Sequence, residues 1–326
     1  LGCQVRAPLT VTSTLEELET TDALGKILLV CGELAREQLM PKNFPFYNPE
    51  HHQRILHLLE AKAPQAIVAA TSRDPALAGG VYPFPLIEDG DFDIPSTYMT
   101  AEEGDRLAHN AGQEVSLGMV AERIPSKGYN VIARKGTSRA RRVVVCAHID
   151  TKDGTPGALD NATGVIVLLL LAELLAGYSG DLGIEIVALN GEDYYAASGE
   201  IQFVASNAGR FSEILLGINL DGAGYRQGSS AYSLYGCPAE TAGLIRSAFT
   251  AREGFVEGES WYQSDHMLFV QNHRPALALT SDQFTELWTH IAHTSKHKPE
   301  LVDPAKLVAI GLALRDLLQD LAQHGL

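Results

Sequence analysis

The residues in this sequence best suited to chemistry are histidines and carboxylates that stand where apolar runs end. Residues 143–164 (VVVCAHIDTKDGTPGALDNATG) begin as a buried strand and end in a polar loop carrying His148, Asp150 and Asp160. The arrangement returns along the chain: IEIVALN gives way to Gly191, Glu192 and Asp193, LLGINL gives way to Asp221 and Gly222, and AHTSKHKPE puts His293 in a loop before the last helical stretch. A single aspartate at a strand end is ordinarily a turn or cap residue. Repetition at successive strand ends singles these out. Two imidazoles and three carboxylates gathered in one crevice suit one or two zinc ions, which take nitrogen and oxygen ligands at about 2.0–2.2 Å. A pair of ions about 3.5–4 Å apart needs a carboxylate between them. In the acidic pair Glu192–Asp193, one member can bind metal while its neighbour faces the substrate water as general base.

The elements that must position these residues fall into two textures. Up to about residue 125 the chain reads as short strands with few helices: a buried strand over 26–32, an amphipathic helix over 48–63 and a buried strand over 65–71. A Gly/Pro-rich loop, the segment 89–100, a short helix over 101–111 and an edge-like strand over 114–122 follow. This suggests a small β-rich domain. From 126 to 326 strands and helices alternate. Strands are expected over 129–133, 142–148, 184–189, 215–220, 232–235 and 276–279, and helices over 163–176, 198–206, 239–252, 265–269 and 304–322. That alternation predicts a three-layer α/β/α sandwich on a mixed, mainly parallel sheet, in which a site lies beyond the carboxyl ends of the strands.

Bulk properties narrow the function classes. A length of 326 residues suits two domains. The net charge of −15 argues against nucleic acid or an anionic membrane as partner. No apolar run approaches the roughly 20 residues of a membrane span. The four cysteines, Cys3, Cys31, Cys146 and Cys237, form no CxxC pair, and Cys146 reads as a core thiol. The chain begins at Leu1 rather than Met, so a preceding segment is expected to have been removed.

The ordered set HxD, D-N, acidic pair, D-G and late H-T resembles the zinc aminopeptidases and glutamate carboxypeptidases of metallopeptidase clan MH, of the bacterial leucyl aminopeptidase type. SDHMLFVQNHRPALALT (264–280) resembles a further segment of that family. The likeness runs from about Tyr129 to Leu326. GKILLVCG, APQAIVAAT and DGDFDIPS in the first region resemble a protease-associated (PA) domain over 1–125. The resemblance implies that His148 and Asp221 bind one zinc, Asp193 and His293 the other, and that Asp160 bridges them. It implies Glu192 as general base and Asp150 as the carboxylate that fixes the tautomer of His148. It further implies peptide substrates, a PA module that covers the site's mouth, and a secreted or cell-envelope location.

Three departures stand out. Asp193 replaces the usual Glu. Ala292 stands where many relatives carry an oxyanion-binding Tyr, leaving Tyr225, Tyr262 and His266 as candidates for that task. The chain also opens almost directly into the PA-like region, so part of the catalytic domain is expected to be missing. Three readings share this scaffold: a di-zinc exopeptidase, a glutaminyl-cyclase-like acyltransferase working with one zinc, and an inactive receptor or binding protein, whose kind loses ligands. Retention of all five ligands and the base favours the exopeptidase. Basic residues near the motifs are few (Lys152, Arg226, Arg274, Lys296, Lys298), which favours an aminopeptidase over a carboxypeptidase. Residue specificity and oligomeric state are not legible.

Overall fold

The computed structural model describes residues 2–324 except 38, 43, 47, 74–91, 121, 123, 195 and 196. It divides into two compact units, Leu1–Lys127 and Gly128–Leu326.

The first unit holds β1 (Cys3–Thr12), α1 (Leu15–Thr20), β2 (Ile27–Val30), α2 (Glu50–Ala61), β3 (Ala66–Thr71), β4 (Ser96–Thr100), α3 (Ala101–Ala108) and β5 (Glu114–Met119). The sheet order is β4-β3-β2-β1-β5. Neighbours from β1 to β4 run parallel, and β5 is antiparallel to β1. Side chains alternate across each strand, so Leu28, Val30, Ile67 and Ala69 face Leu18 of α1 and Ile55, Leu56 and Leu59 of α2. Ile27, Leu29, Ala66 and Val68 face the other way, toward Leu107 and Ala108 of α3. Helices thus cover both faces, and the unit is richer in helix than its strand-dominated texture suggested. β1 escaped the sequence reading because Pro8 interrupts it; it pairs with the edge strand β5, where Pro8 stands opposite Glu114. The Gly/Pro-rich loop and residues 89–91 of the PA-like marks lie outside the described residues.

The second unit holds β6 (Val131–Lys135), β7 (Arg142–His148), α4 (Thr163–Leu174), β8 (Gly183–Leu189), α5 (Ser198–Ser206), β9 (Ile214–Leu220), β10 (Ser230–Tyr235), α6 (Ala239–Thr250), β11 (Phe255–Glu257), α7 (His266–Val270), β12 (Ala276–Ser281), α8 (Phe284–Glu286) and α9 (Pro304–Gln323). The sheet order is β11-β10-β12-β9-β7-β8-β6, with β12, β9, β7 and β8 mutually parallel, β6 antiparallel to β8, β10 antiparallel to β12, and β11 parallel to β10. β7 is buried at every position, as expected for a central parallel strand covered on both faces. Val143, Val145 and Ala147 pack with Val167 and Leu171 of α4, Ile245 and Phe249 of α6 and Leu314 and Leu317 of α9. The alternate residues Val144 and Cys146 belong to the opposite face, with Gly217 and Asn219 of β9. Among the described residues no helix is long and apolar enough to cross a membrane.

That second face closes tightly on Gly217. A Cβ there would come within 2.2 Å of the Phe269 ring. Phe269 is fully buried and meets Phe203 edge-on at 6.0 Å. Gly217→Ala is therefore expected to destabilise the protein by about 1–3 kcal/mol, seen as a lower urea midpoint at unchanged slope.

Candidate metal centre

Because β9, β7 and β8 are parallel neighbours, their carboxyl ends lie side by side. His148 pairs in register with Leu189, and Cys146 with Asn219. The residues one to four positions beyond those ends therefore converge. His148 is the last residue of β7 and is completely buried. Its Nε2 lies 3.1 Å from Asp160 Oδ1, 3.6 Å from Asp221 Oδ1 and 4.0 Å from Glu192 Oε2. Asp160 sits in the turn Ala158–Ala162 that leads into α4, with non-helical backbone angles of φ −122° and ψ 87°. Its second oxygen is 2.9 Å from His293 Nε2, which is also 2.9 Å from Asp193 Oδ1. Two trios result, His148–Asp160–Asp221 and Asp160–Asp193–His293, each with ligand atoms within 4.8 Å of one another, and they share Asp160.

The donor set fits zinc. All ligand atoms are imidazole nitrogen or carboxylate oxygen. His148 Nε2 and Asp221 Oδ1 are buried without a hydrogen-bond partner among the described residues, although each has an opposite-polarity neighbour close by. Buried polar atoms left in that state are costly, and a cation between them removes the cost. The shorter Asp193 reaches His293 directly, and its other oxygen accepts from the Lys152 backbone N–H at 2.9 Å.

The electrostatics point the same way. Burial opposes a charge on His148, yet Glu192, Asp160 and Asp221 outweigh it and hold the ring protonated well above the usual histidine range. Burial likewise opposes charge on His293, but its bonds to Asp160 and Asp193 push it up to about 10. Burial raises Asp160, and the two imidazoles close to it override this, holding the carboxyl far below its ordinary range. Glu192 is pushed well up by burial, against the pull of His148 and with the push of Asp221 and Asp193. Burial also raises Asp221, opposed by His148. Protons on the two imidazoles thus occupy the role that metal charge would fill.

Several expected roles change in detail. Asp150 was expected to bond the far nitrogen of His148. Instead its backbone carbonyl does so, 3.1 Å from Nδ1. The Asp150 carboxylate accepts from the backbone N–H of Gly191 at 2.7 Å and of Asp193 at 3.0 Å, so it fixes the loop that carries Glu192. Of the oxyanion candidates, His266 is enclosed by Tyr235 and Trp261, its Nε2 lies 2.8 Å from the Trp261 carbonyl, and burial pushes it down to about 4. The Tyr225 hydroxyl faces Glu286 at 3.5 Å, and Tyr262 packs edge-on against Tyr235. All three have partners other than the ligand trios.

The sequence assigned no role to the residues that support these ligands. Nε2 of the buried His297 accepts from the N–H of Leu159 at 2.6 Å and of Asp160 at 3.0 Å, anchoring the bridging residue's backbone. Ser264 Oγ donates to Asp221 Oδ2 at 2.7 Å and is itself held by Asn219 at 2.9 Å. His293 adopts φ +60°, a left-handed conformation unusual for histidine; the Thr294 N–H to Ile291 carbonyl turn holds it there.

A further trio, Glu37–His51–His52, lies in the first unit. His52 stands on α2 and is 1% exposed. Its Nδ1 accepts from the Met40 N–H at 3.1 Å, so a neutral ring carries its proton on Nε2, 3.2 Å from Glu37 Oε1. That nitrogen carries the proton beside the carboxylate and has no lone pair to offer a metal.

Zinc requires neutral imidazoles, so it must displace protons from His148 and His293. With a pKa raised from 6.5 to about 10, the paired His293 contributes stability to the metal-free protein that is complete below about pH 6.5 and lost as pH rises through about 10. The rise in melting temperature on adding zinc is therefore expected to be larger at about pH 8 than at about pH 6. Equal rises by scanning calorimetry would contradict this.

Residues 130–318, more than half of the chain, match the family model Peptidase family M28. The fold is similar to an aminopeptidase from Aneurinibacillus sp. strain AM-1, at 19% identity and a TM-score of 0.70 over 99% of this chain and 76% of that one. It is similar also to a zinc aminopeptidase from Bacillus subtilis, at 19% identity and a TM-score of 0.67 over 98% and 75%. A peptidase M28 precursor from Shewanella amazonensis SB2B aligns at 18% identity and a TM-score of 0.62 over 98% and 74%. No curated protein matches the chain at the level of sequence. Since the family's model spans the strand ends that carry all five ligand candidates, the chain belongs to peptidase family M28.

Proposed function

We propose that this chain is a zinc aminopeptidase working with two ions, one held by His148 and Asp221, the other by Asp193 and His293, with Asp160 between them. The observation that carries the reading is the pair of buried trios sharing Asp160. The fold likeness to proteins described as aminopeptidases, one of them zinc-dependent, supports the same reaction class. The first unit is read as a protease-associated module from its sequence marks.

Charge at the site favours a substrate amine over a substrate carboxylate. Asp150, Asp160, Glu192, Asp193 and Asp221 stand against His148, His293 and Lys152, and the Lys152 ammonium is committed to the Asp193 carbonyl. A free α-ammonium is welcome in such a field; a terminal carboxylate is repelled.

A bound zinc pair supplies Lewis acidity toward the scissile carbonyl and the attacking water. Glu192, placed by the Asp150-anchored loop, removes the proton from that water and delivers it to the leaving amine. Ser264 and His297 hold Asp221 and Asp160 in place, so the ligands need not reorganise during the reaction.

The test is hydrolysis of a panel of aminoacyl-nitroanilides. Wild-type enzyme with zinc is expected to release nitroaniline, and Glu192→Gln to lower kcat by about 10²–10⁴ while retaining zinc. Full activity in the variant would remove Glu192 as the base. Absence of amide hydrolysis alongside cyclisation of an N-terminal glutamine would move the reading to the acyltransferase.

A further inference from the structure

The second unit carries an arginine-rich cleft that the peptidase reading does not use. It has a volume of about 300 Å³ and is lined by Arg134, Arg139, Arg142 and Arg210 together with Glu185 and Asn207. Its place follows from the topology. Arg142 is the first residue of β7, and His148 is the last. Arg142 and Gly183, the first residues of β7 and β8, stand in register. The cleft thus lies at the amino ends of the parallel strands. At about 3.3 Å per residue, β7 alone separates it from the metal centre by about 20 Å.

Its charge is unbalanced. Arg134 Nε donates to Glu185 at 2.8 Å, and Arg210 pairs with Glu213 at 2.8 Å. Arg142, whose side chain is 3% exposed, meets the same two carboxylates, Glu185 at 3.5 Å and Glu213. Three guanidinium groups therefore share two carboxylates. Arg139 has neither an ion pair nor a side-chain hydrogen bond among the described residues; its backbone carbonyl accepts from Arg142 at 3.0 Å. Four cations against two anions leave an excess of two positive charges, in a chain whose net charge is −15. The buried Nε–H of Arg142 also has no hydrogen-bond acceptor among the described residues. A network serving only to hold β7, β8 and the start of β9 together would balance its charges, and a buried guanidinium N–H left without an acceptor is costly.

We propose that this cleft is a binding site for a small dianionic molecule bearing a phosphate group or a pair of carboxylates. Planar guanidinium forks present paired N–H donors that match such oxyanions. Arg139 and Arg134, both exposed, are the groups that capture the ligand, while Arg142 forms the floor. The volume exceeds that of a bare oxyanion and falls at the lower end of small-molecule sites, so the ligand carries an organic body against Ile132 and Phe203.

The test is calorimetric titration of the zinc-loaded enzyme with inorganic phosphate and, separately, with glutarate, at fixed ionic strength. Saturable binding of at least one anion, at about millimolar Kd or tighter, is expected. It should weaken by about tenfold or more in Arg139→Gln and in Arg134→Gln, with nitroanilide hydrolysis unchanged in both. Binding of phosphate alone would identify a phosphate-bearing ligand; binding of glutarate alone would identify a dicarboxylate. Failure of both anions to bind, or binding that both variants retain in full, as it would if the anion sat on the metals, overturns the proposal.

Discussion

The structure depends on one electrostatic constraint: a buried cluster of carboxylates around two imidazoles cannot be neutralised by the chain alone. Asp160, Asp193 and Asp221 are each at most 4% exposed and stand within 4 Å of a histidine nitrogen. Without an added cation both imidazoles must stay protonated, and Glu192 is driven toward its neutral form. Such an arrangement is unfavourable as a structural core, where apolar side chains of similar volume would serve better. It is intelligible as a site whose missing charge arrives from outside.

Everything around the cluster serves to keep these groups together despite their repulsion. Three neighbouring parallel strands deliver them from a fully buried sheet centre. Asp150 fastens the β8 loop through two backbone N–H groups, His297 fastens the Asp160 turn through two more, and Ser264 with Asn219 pins Asp221. The close contact of Gly217 with Phe269 belongs to the same economy of space, since it seats β9 and hence Asp221. The amino ends of the same strands carry the opposite charge, with arginines in excess over carboxylates. One sheet therefore presents a cation-seeking end and an anion-seeking end.

What the sequence made legible follows from how each residue acts. His148, Glu192, Asp193 and Asp221 could be read because each stands at or just beyond the end of an apolar strand, and Asp160 because it stands in the polar loop between β7 and α4; strand order brings them together. His297, Ser264 and Lys152 could not, because their contacts span 137, 43 and 41 positions and no local pattern encodes them. The role of Asp150 was placed on the wrong atom for a related reason: its neighbour in sequence is His148, but the donors its carboxylate meets belong to the next strand's loop. β1 was hidden by Pro8, and the helix cover of the first unit was underrated because α1 is only six residues long. His52 shares the inward face of its helix with Ile55, Leu56 and Leu59.

The central claim is that the two trios form one metal pair joined by Asp160. Titration of the metal-free protein with cobalt(II), followed by electron paramagnetic resonance, tests it most directly. The account predicts two equivalents bound, with magnetic coupling between them that is abolished by Asp160→Asn while folding, by circular dichroism, is unchanged. Saturation at a single equivalent, or two ions with no coupling in the wild-type protein, would contradict it.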